Sequence, residues 1–158
     1  MILRKFLAVV VALLTITLAG GILYNNVTAK STNEKLRFDK VDAVHDGDTV
    51  YVTFNNLPEV FGKHIGVRLY GIDTPEMHDK DACLRDMAVA ARNVLSQFLS
   101  RGKVLELVNV KRDKYFRLNA DILADGVSAS EFMLKSGRAH EYSGQVVKEK
   151  WECNTSMR

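Results

Sequence analysis

The stretch Ile65–Glu76 reads IGVRLYGIDTPE, with Ile65, Val67 and Leu69 alternating against Arg68 and Tyr70. Period-two alternation is the pattern of a half-buried strand, apolar toward a core and polar toward solvent. The strand gives way to Asp73-Thr74-Pro75-Glu76, residue types that favour turns. An arginine on the wet face and two acids just past the strand end are the features around which the rest of the chain is read. In a regular pleat Arg68 and Asp73, five apart, face opposite sides. They reach one point only if the strand bends or bulges near Gly71.

Upstream, Leu36 to Val44, the Asp46-Gly47-Asp48 turn and Thr49 to Phe54 form a predicted hairpin. Asn55-Asn56-Leu57-Pro58 and Gly62 mark a long loop before the strand of Ile65. Downstream, Leu84, Met87, Ala88, Ala91, Leu95 and Phe98 fall at helical spacing, with Gly102 in the place of a C-cap. Val104 to Val110 reads as a buried strand and Lys111 to Lys114 as a charged turn. Phe116, Leu118, Ala120 and Ile122 then alternate with Tyr115, Arg117, Asn119 and Asp121, which predicts Phe116 inside. Asp125-Gly126 is a turn, and Ser128 with Glu131 is a capping box opening a short helix that ends near Gly137. Three strands, a helix, two strands and a helix suit a five-stranded OB-fold barrel with inserted helices, a mainly β, α+β architecture often used for oligonucleotides.

The chain has 158 residues, 22 Lys+Arg against 19 Asp+Glu, 47% hydrophobic and 26% charged residues. These values exclude a disordered tail, a collagen-like fibre and a polytopic membrane protein. Residues 1–29 hold Arg4 and Lys5 and no acid, so the remainder carries 20 basic against 19 acidic residues. Global charge thus announces no polyanion partner. Phe6 to Tyr24 runs without a charge directly after Arg4 and Lys5. Its 19 residues span roughly 28 Å as a helix, near the thickness of a bilayer core. The expected organisation is a signal peptide or membrane anchor over 1–29, a linker over 30–35, the folded domain over 36–142 and a tail over 143–158. Export, with the domain facing outward or released after cleavage near Ala29, follows from either form of the leader. It gives Cys83 and Cys153 two readings, a disulfide permitted by an oxidising compartment or two unpaired thiols.

Three clusters carry candidate chemistry. Asp46-Gly47-Asp48-Thr49 and Asp73-Thr74-Pro75-Glu76 supply hard carboxylate oxygens suited to a Ca²⁺- or Mg²⁺-type ion. Arg68 and Arg117 supply paired donors for a phosphate. From Arg101 to Arg117 six basic residues stand against Glu106 and Asp113, a local +4 that attracts a polyanion. Singly, each cluster is an ordinary turn or a solvated edge. Together they are the parts of a phosphodiester hydrolase: a cation site, a proton acceptor and positive groups for charge gathering on phosphorus oxygens.

With these residues in view, VHDGDTV, VRLYGIDTPE, RDKYFRLNADILADG and LKSGRAHEY, in order between Val41 and Tyr142, resemble the thermonuclease (micrococcal or staphylococcal nuclease) family. The resemblance implies an OB-fold barrel that hydrolyses DNA and RNA with Ca²⁺ and leaves 3′-phosphates. It implies that Asp48 and Asp73 ligate the ion with the Thr74 carbonyl, and that Asp46 lies in its outer shell. It further implies Glu76 as general base or water-orienter, Arg68 and Arg117 on the scissile phosphate, and Lys114, Tyr115 and Tyr142 as substrate contacts. Two departures stand out. Phe116 replaces a family glycine, and a Trp151/Cys153 ending replaces a long C-terminal helix.

His45, His64, His78 and His140 form no close ligand pair and read as surface residues. Tyr51, Phe54, Phe98 and Phe132 read as packing, whereas Tyr70 shares the face of Arg68. The expectation is a monomeric, exported, Ca²⁺-dependent endonuclease acting on DNA and/or RNA, held at a membrane if its leader is uncleaved. The alternative is a non-catalytic OB-fold module that binds single strands.

Overall fold

The hydrophobic alternation becomes strand where predicted, but two of the expected strands are broken. A computed structural model describes residues 35–113, 115–142, 144 and 148–153. Their elements are β1 (Leu36–Arg37), β2 (Lys40–Val44), β3 (Thr49–Thr53), α1 (Glu59–Gly62), β4 (Ile65–Leu69), β5 (Ile72–Asp73), α2 (Ala82–Arg101), β6 (Leu105–Arg112), β7 (Leu118–Ala124), β8 (Val127–Ser128), α3 (Ala129–Lys135) and β9 (His140–Glu141). The expected leader and most of the linker, residues 1–34, lie outside the described residues. Among the described residues no helix is long and apolar enough to cross a membrane.

The main sheet has the order β1-β6-β7-β4-β3-β2, with β8 added to β7. β4 and β7 run parallel and the other pairs antiparallel. Its two outermost strands, β1 and β2, are separated in the chain by only Phe38 and Asp39. The Phe38 N–H donates to Leu105 on β6 (3.2 Å) and the Asp39 N–H to Thr53 on β3 (2.9 Å). A chain that passes between opposite edges of a sheet in two residues requires the sheet to curl back on itself. This is a mixed, OB-like curled sheet with inserted helices. The expected strand from Leu36 to Val44 is therefore two strands, one on each edge.

Inside the curl lie Val50, Val52, Val67, Leu107, Ala120 and Ile122, each fully buried. Helix α2 adds Ala91, Leu95 and Leu99 at helical spacing, starting from Asp81, whose side chain accepts the Cys83 N–H. Phe98 stacks on Phe132 of α3, ring centroids 4.3 Å apart. The Ser128 hydroxyl accepts the Glu131 N–H (3.0 Å), as a capping residue should. Cys83, in the first turn of α2, is bridged to Cys153, Cα atoms 5.9 Å apart.

Three expectations need correction. Gly102 does not take the left-handed conformation of a glycine C-cap; its φ is −70°. It is needed for close approach, since a Cβ there meets Ala124 Cβ and Leu105 Cδ2 at 2.9 Å. Strand β6 continues through Lys111 and Arg112, which were expected in a turn. Phe116 is not core: it is 80% exposed with φ of +64°, in the turn before β7. The Asp113 carboxylate accepts the N–H groups of Tyr115 and Arg117, and this local turn overrides the alternation.

Gly102→Ala should lower folding stability by about 1–3 kcal/mol, the cost of overpacking a tight contact. A urea midpoint equal to that of the unaltered chain would contradict this packing.

Candidate active site

Asp48 sits just before β3, in a turn closed by its own N–H donating to Asp46 Oδ1 (3.0 Å). Gly47 lets this turn lie flat against α2, for a Cβ there meets Ala91 Cβ at 2.8 Å and Thr74 Cβ at 2.9 Å. The Asp48 carbonyl accepts the Leu69 N–H (2.7 Å), and Thr49 pairs with Arg68 across β3 and β4. Register alone therefore brings Arg68 beside Asp48. Their ion pair measures 2.9 Å from Nη1 to Oδ2, with both side chains largely buried. The Thr49 hydroxyl donates to Asp48 Oδ1 (3.0 Å), and the N–H and hydroxyl of Thr74 donate to Oδ2 (3.2 and 3.1 Å). Burial pushes the Asp48 carboxyl up to about 7, outweighing the opposing charge of Arg68.

The bend demanded by the Arg68–Asp73 spacing is at Tyr70-Gly71, where Gly71 takes φ of +82°. Past it, β5 pairs with β9, setting Asp73 opposite His140. Arg68 Nη2 then stands 3.7 Å from Asp73 Oδ1. Asp73 is 4% exposed, and the neighbours of its Oδ1 are charges. Lys148 Nζ lies 2.6 Å from this Oδ1 and 3.4 Å from Glu76 Oε1. Trp151 Nε1 donates to the other oxygen, Oδ2, at 3.3 Å. Burial works against the Lys148 ammonium, but Asp73 and Glu76 hold its pKa above the usual lysine range.

Arg68, Asp48, Asp46 and Glu76 line a cleft of about 600 Å³ with Arg117, Tyr115, Tyr70, Asn119, Tyr142 and Lys148. Arg117 lies in the turn before β7, not in the strand. Its Nε donates to Asp113 Oδ2 (2.8 Å), which keeps the terminal nitrogen fork for another partner. Tyr142 is fixed by its N–H, which donates to the Gly71 carbonyl (2.8 Å). Lys114 lies outside the described residues.

Arg68, Asp48, Asp73 and Thr74 thus meet at one point, with Glu76, Arg117, Tyr115 and Tyr142 around the same cleft. Thr74 is seen through its N–H and hydroxyl on Asp48, and Asp46 through its hold on the Asp48 backbone. The arrangement fits a hard divalent cation in two respects: two buried carboxylates reach the same guanidinium, and Asp73 Oδ1 faces the charges of Lys148 and Arg68. It is not a ready-made cage, because among the described residues no three His, Cys, Asp or Glu side chains group closely enough to hold an ion. Arg68 and Lys148 supply the positive charge instead. Asp113, Asn119, Lys148 and Trp151 were missed in the sequence. Asp113 had a local signal, its four-residue spacing from Arg117. Lys148 and Trp151 had only their nearness to Cys153. His140, expected on the surface, is partly covered by the Trp151 ring at 3.6 Å between centroids.

Residues 66–156 match the family described as staphylococcal nuclease homologue. The chain is 35% identical over 115 residues to endonuclease YncB of Bacillus subtilis, covering 71% of this chain and 52% of that protein. It is 37% identical over 101 residues to the SPbeta prophage-derived endonuclease YokF of the same organism, covering 63% of this chain and 32% of that protein. With the staphylococcal-like nuclease CAN1 of Arabidopsis thaliana it shares 30% identity over 120 residues, 73% of this chain and 35% of the relative. The chain thus spans about half the length of these relatives or less.

The Asp48 carboxyl offers a test of the site without any ligand. The folded chain keeps its proton up to about pH 7, whereas an ordinary aspartate releases it near 3.8. The stability contributed by that proton is complete below about pH 4 and is lost as pH rises to about 7. In chelator, urea unfolding of the unaltered chain should show this fall, and Asp48→Asn should flatten it. Parallel pH profiles would contradict the burial assigned to Asp48.

Proposed function

Because the chain belongs to the staphylococcal nuclease homologue family, we propose that this cleft is the active site of an endonuclease that hydrolyses phosphodiester bonds of DNA and/or RNA. The proposal extends to Ca²⁺ as cofactor, Mg²⁺ being compatible with the same oxygens, and to 3′-phosphate products. The observation that carries it is that Arg68 and Asp48 line one cleft with Glu76 and Arg117, while the same Arg68 guanidinium also reaches the buried Asp73. A module that only binds single strands has no use for buried acids beside an arginine.

Asp48 and Asp73, with the Thr74 carbonyl, would hold the ion, which when bound supplies Lewis-acid stabilisation of the phosphate charge. The chain's own groups do the rest. Glu76, exposed at the cleft edge, accepts a proton from the water that attacks phosphorus in line. Arg117, anchored through Nε, presents its terminal nitrogens to the phosphate oxygens, where negative charge grows in the transition state. Arg68, whose guanidinium is held by Asp48 and Asp73, adds a second positive charge to the same cleft. Tyr115 and Tyr142 flank the neighbouring nucleotides, and Lys114 adds attraction for the polyanion. Asp46 keeps the Asp48 turn closed.

We also propose that the domain works as a monomer outside the cytoplasm, anchored or released. Arg4, Lys5 and the apolar run to Tyr24 support export, and the Cys83–Cys153 bridge suits an oxidising compartment.

Purified full-length protein should cut plasmid DNA or RNA with Ca²⁺ and stop when the ion is chelated. Arg117→Ala should lose about 10²–10³ in rate while its circular dichroism stays unchanged. Near-normal cutting by a folded Arg117→Ala protein would refute that role. Binding of single strands with no chelator-sensitive cutting would favour the non-catalytic module.

A further inference from the structure

We infer that the segment Lys148–Cys153 is part of the cation site, with Trp151 a positioning residue for Asp73 and Lys148 the group that an entering divalent ion displaces. The inference rests on reading Asp73 as an ion ligand. It concerns residues more than seventy positions away in the chain.

The two oxygens of Asp73 are treated differently. Oδ2 takes the Trp151 indole N–H at 3.3 Å, so this oxygen is already engaged and the carboxylate plane is held. Oδ1 is met instead by two charges, the Lys148 ammonium at 2.6 Å and Arg68 Nη2 at 3.7 Å. A donor on one oxygen leaves the other as the natural ligand atom, which is how groups behind a metal ligand orient it.

The indole is itself held on two sides. Its ring lies on His140, 3.6 Å between centroids and 7° from parallel, and His140 is paired with Asp73 across β5 and β9. Two residues further on, Cys153 is bridged to Cys83 at the start of α2. A disulfide alone would pin a chain end. It does not require the adjoining residues to contact both oxygens of a buried acid.

Lys148 is suited to exchange. Its side chain is 46% exposed, so the ammonium can swing into solvent without unpacking the core. It touches Asp73 and Glu76 and lies 5.7 Å over the Tyr142 ring. A divalent ion at Oδ1 brings two charges where the ammonium brings one. Lys148 therefore neutralises the acids until the ion arrives and competes with it.

The two residues should act in opposite directions, which a loosened tail does not imitate. Chelator-stripped full-length protein is titrated with calcium chloride in a calorimeter. Trp151→Phe should weaken binding by about 10-fold or more, and Cys153→Ser should weaken it in the same direction. Lys148→Ala should tighten it several-fold. Calcium binding that none of these changes alters, or that Lys148→Ala and Trp151→Phe weaken alike, would overturn the strap while leaving the cation site standing. No calcium binding by the unaltered protein would overturn the cation site itself and the strap with it. Thermal melts by circular dichroism establish that each variant is folded. If Trp151→Phe is not, Lys148→Ala decides, since its side chain is half exposed.

Discussion

Two buried acids held by one guanidinium organise the site, because a carboxylate out of water needs a positive partner. Asp48 and Asp73 are 6% and 4% exposed. A buried charge without a partner costs several kcal/mol, and breaking a buried pair typically costs about 3–5 kcal/mol. Arg68 reaches both acids, and Lys148 reaches the same oxygen of Asp73. The arginine can do so because β4 fixes its register against Thr49 and because the chain turns at Gly71. A site with its charges already matched by side chains is poised for an ion or a phosphate to take part in the same balance. This links the curled sheet to the chemistry proposed for it.

The parts of this arrangement that depend on local pattern were legible in the sequence. Alternation in IGVRLYGI named the strand and its faces, and the five-residue offset between Arg68 and Asp73 required the bend seen at Gly71. Helix α2 was legible from its apolar spacing. Periodicity misled where hydrogen bonds from one side chain set the backbone. Asp113 gathers the N–H groups of Tyr115 and Arg117, the turn it makes lifts Phe116 into solvent, and β7 begins two residues later than Phe116. Gly102 was misassigned for a different reason: its role is set by Ala124 and Leu105, neighbours in space that no helix-end rule contains.

The tail was the least legible part. Trp151 and Asp73 are 78 residues apart, and Lys148 and Glu76 are 72 apart. No spacing rule spans such distances, and Lys148 reads as one more solvated charge. The pair of cysteines was the sole sequence signal that the C-terminus returns to the domain. The Trp151/Cys153 ending stands where the resemblance predicts a long helix, and its indole N–H donates to Asp73.

The central claim is that Asp48 and Asp73 share an ion in a cleft whose two arginines grip one phosphate. A crystal structure of the protein with Ca²⁺ and a short oligonucleotide tests it most directly. The account predicts one ion bonded to both carboxylates at about 2.3–2.6 Å, with Arg68 and Arg117 on the same phosphate. Nucleic acid bound on another face, with the carboxylates still paired only to Arg68 and Lys148, would contradict it.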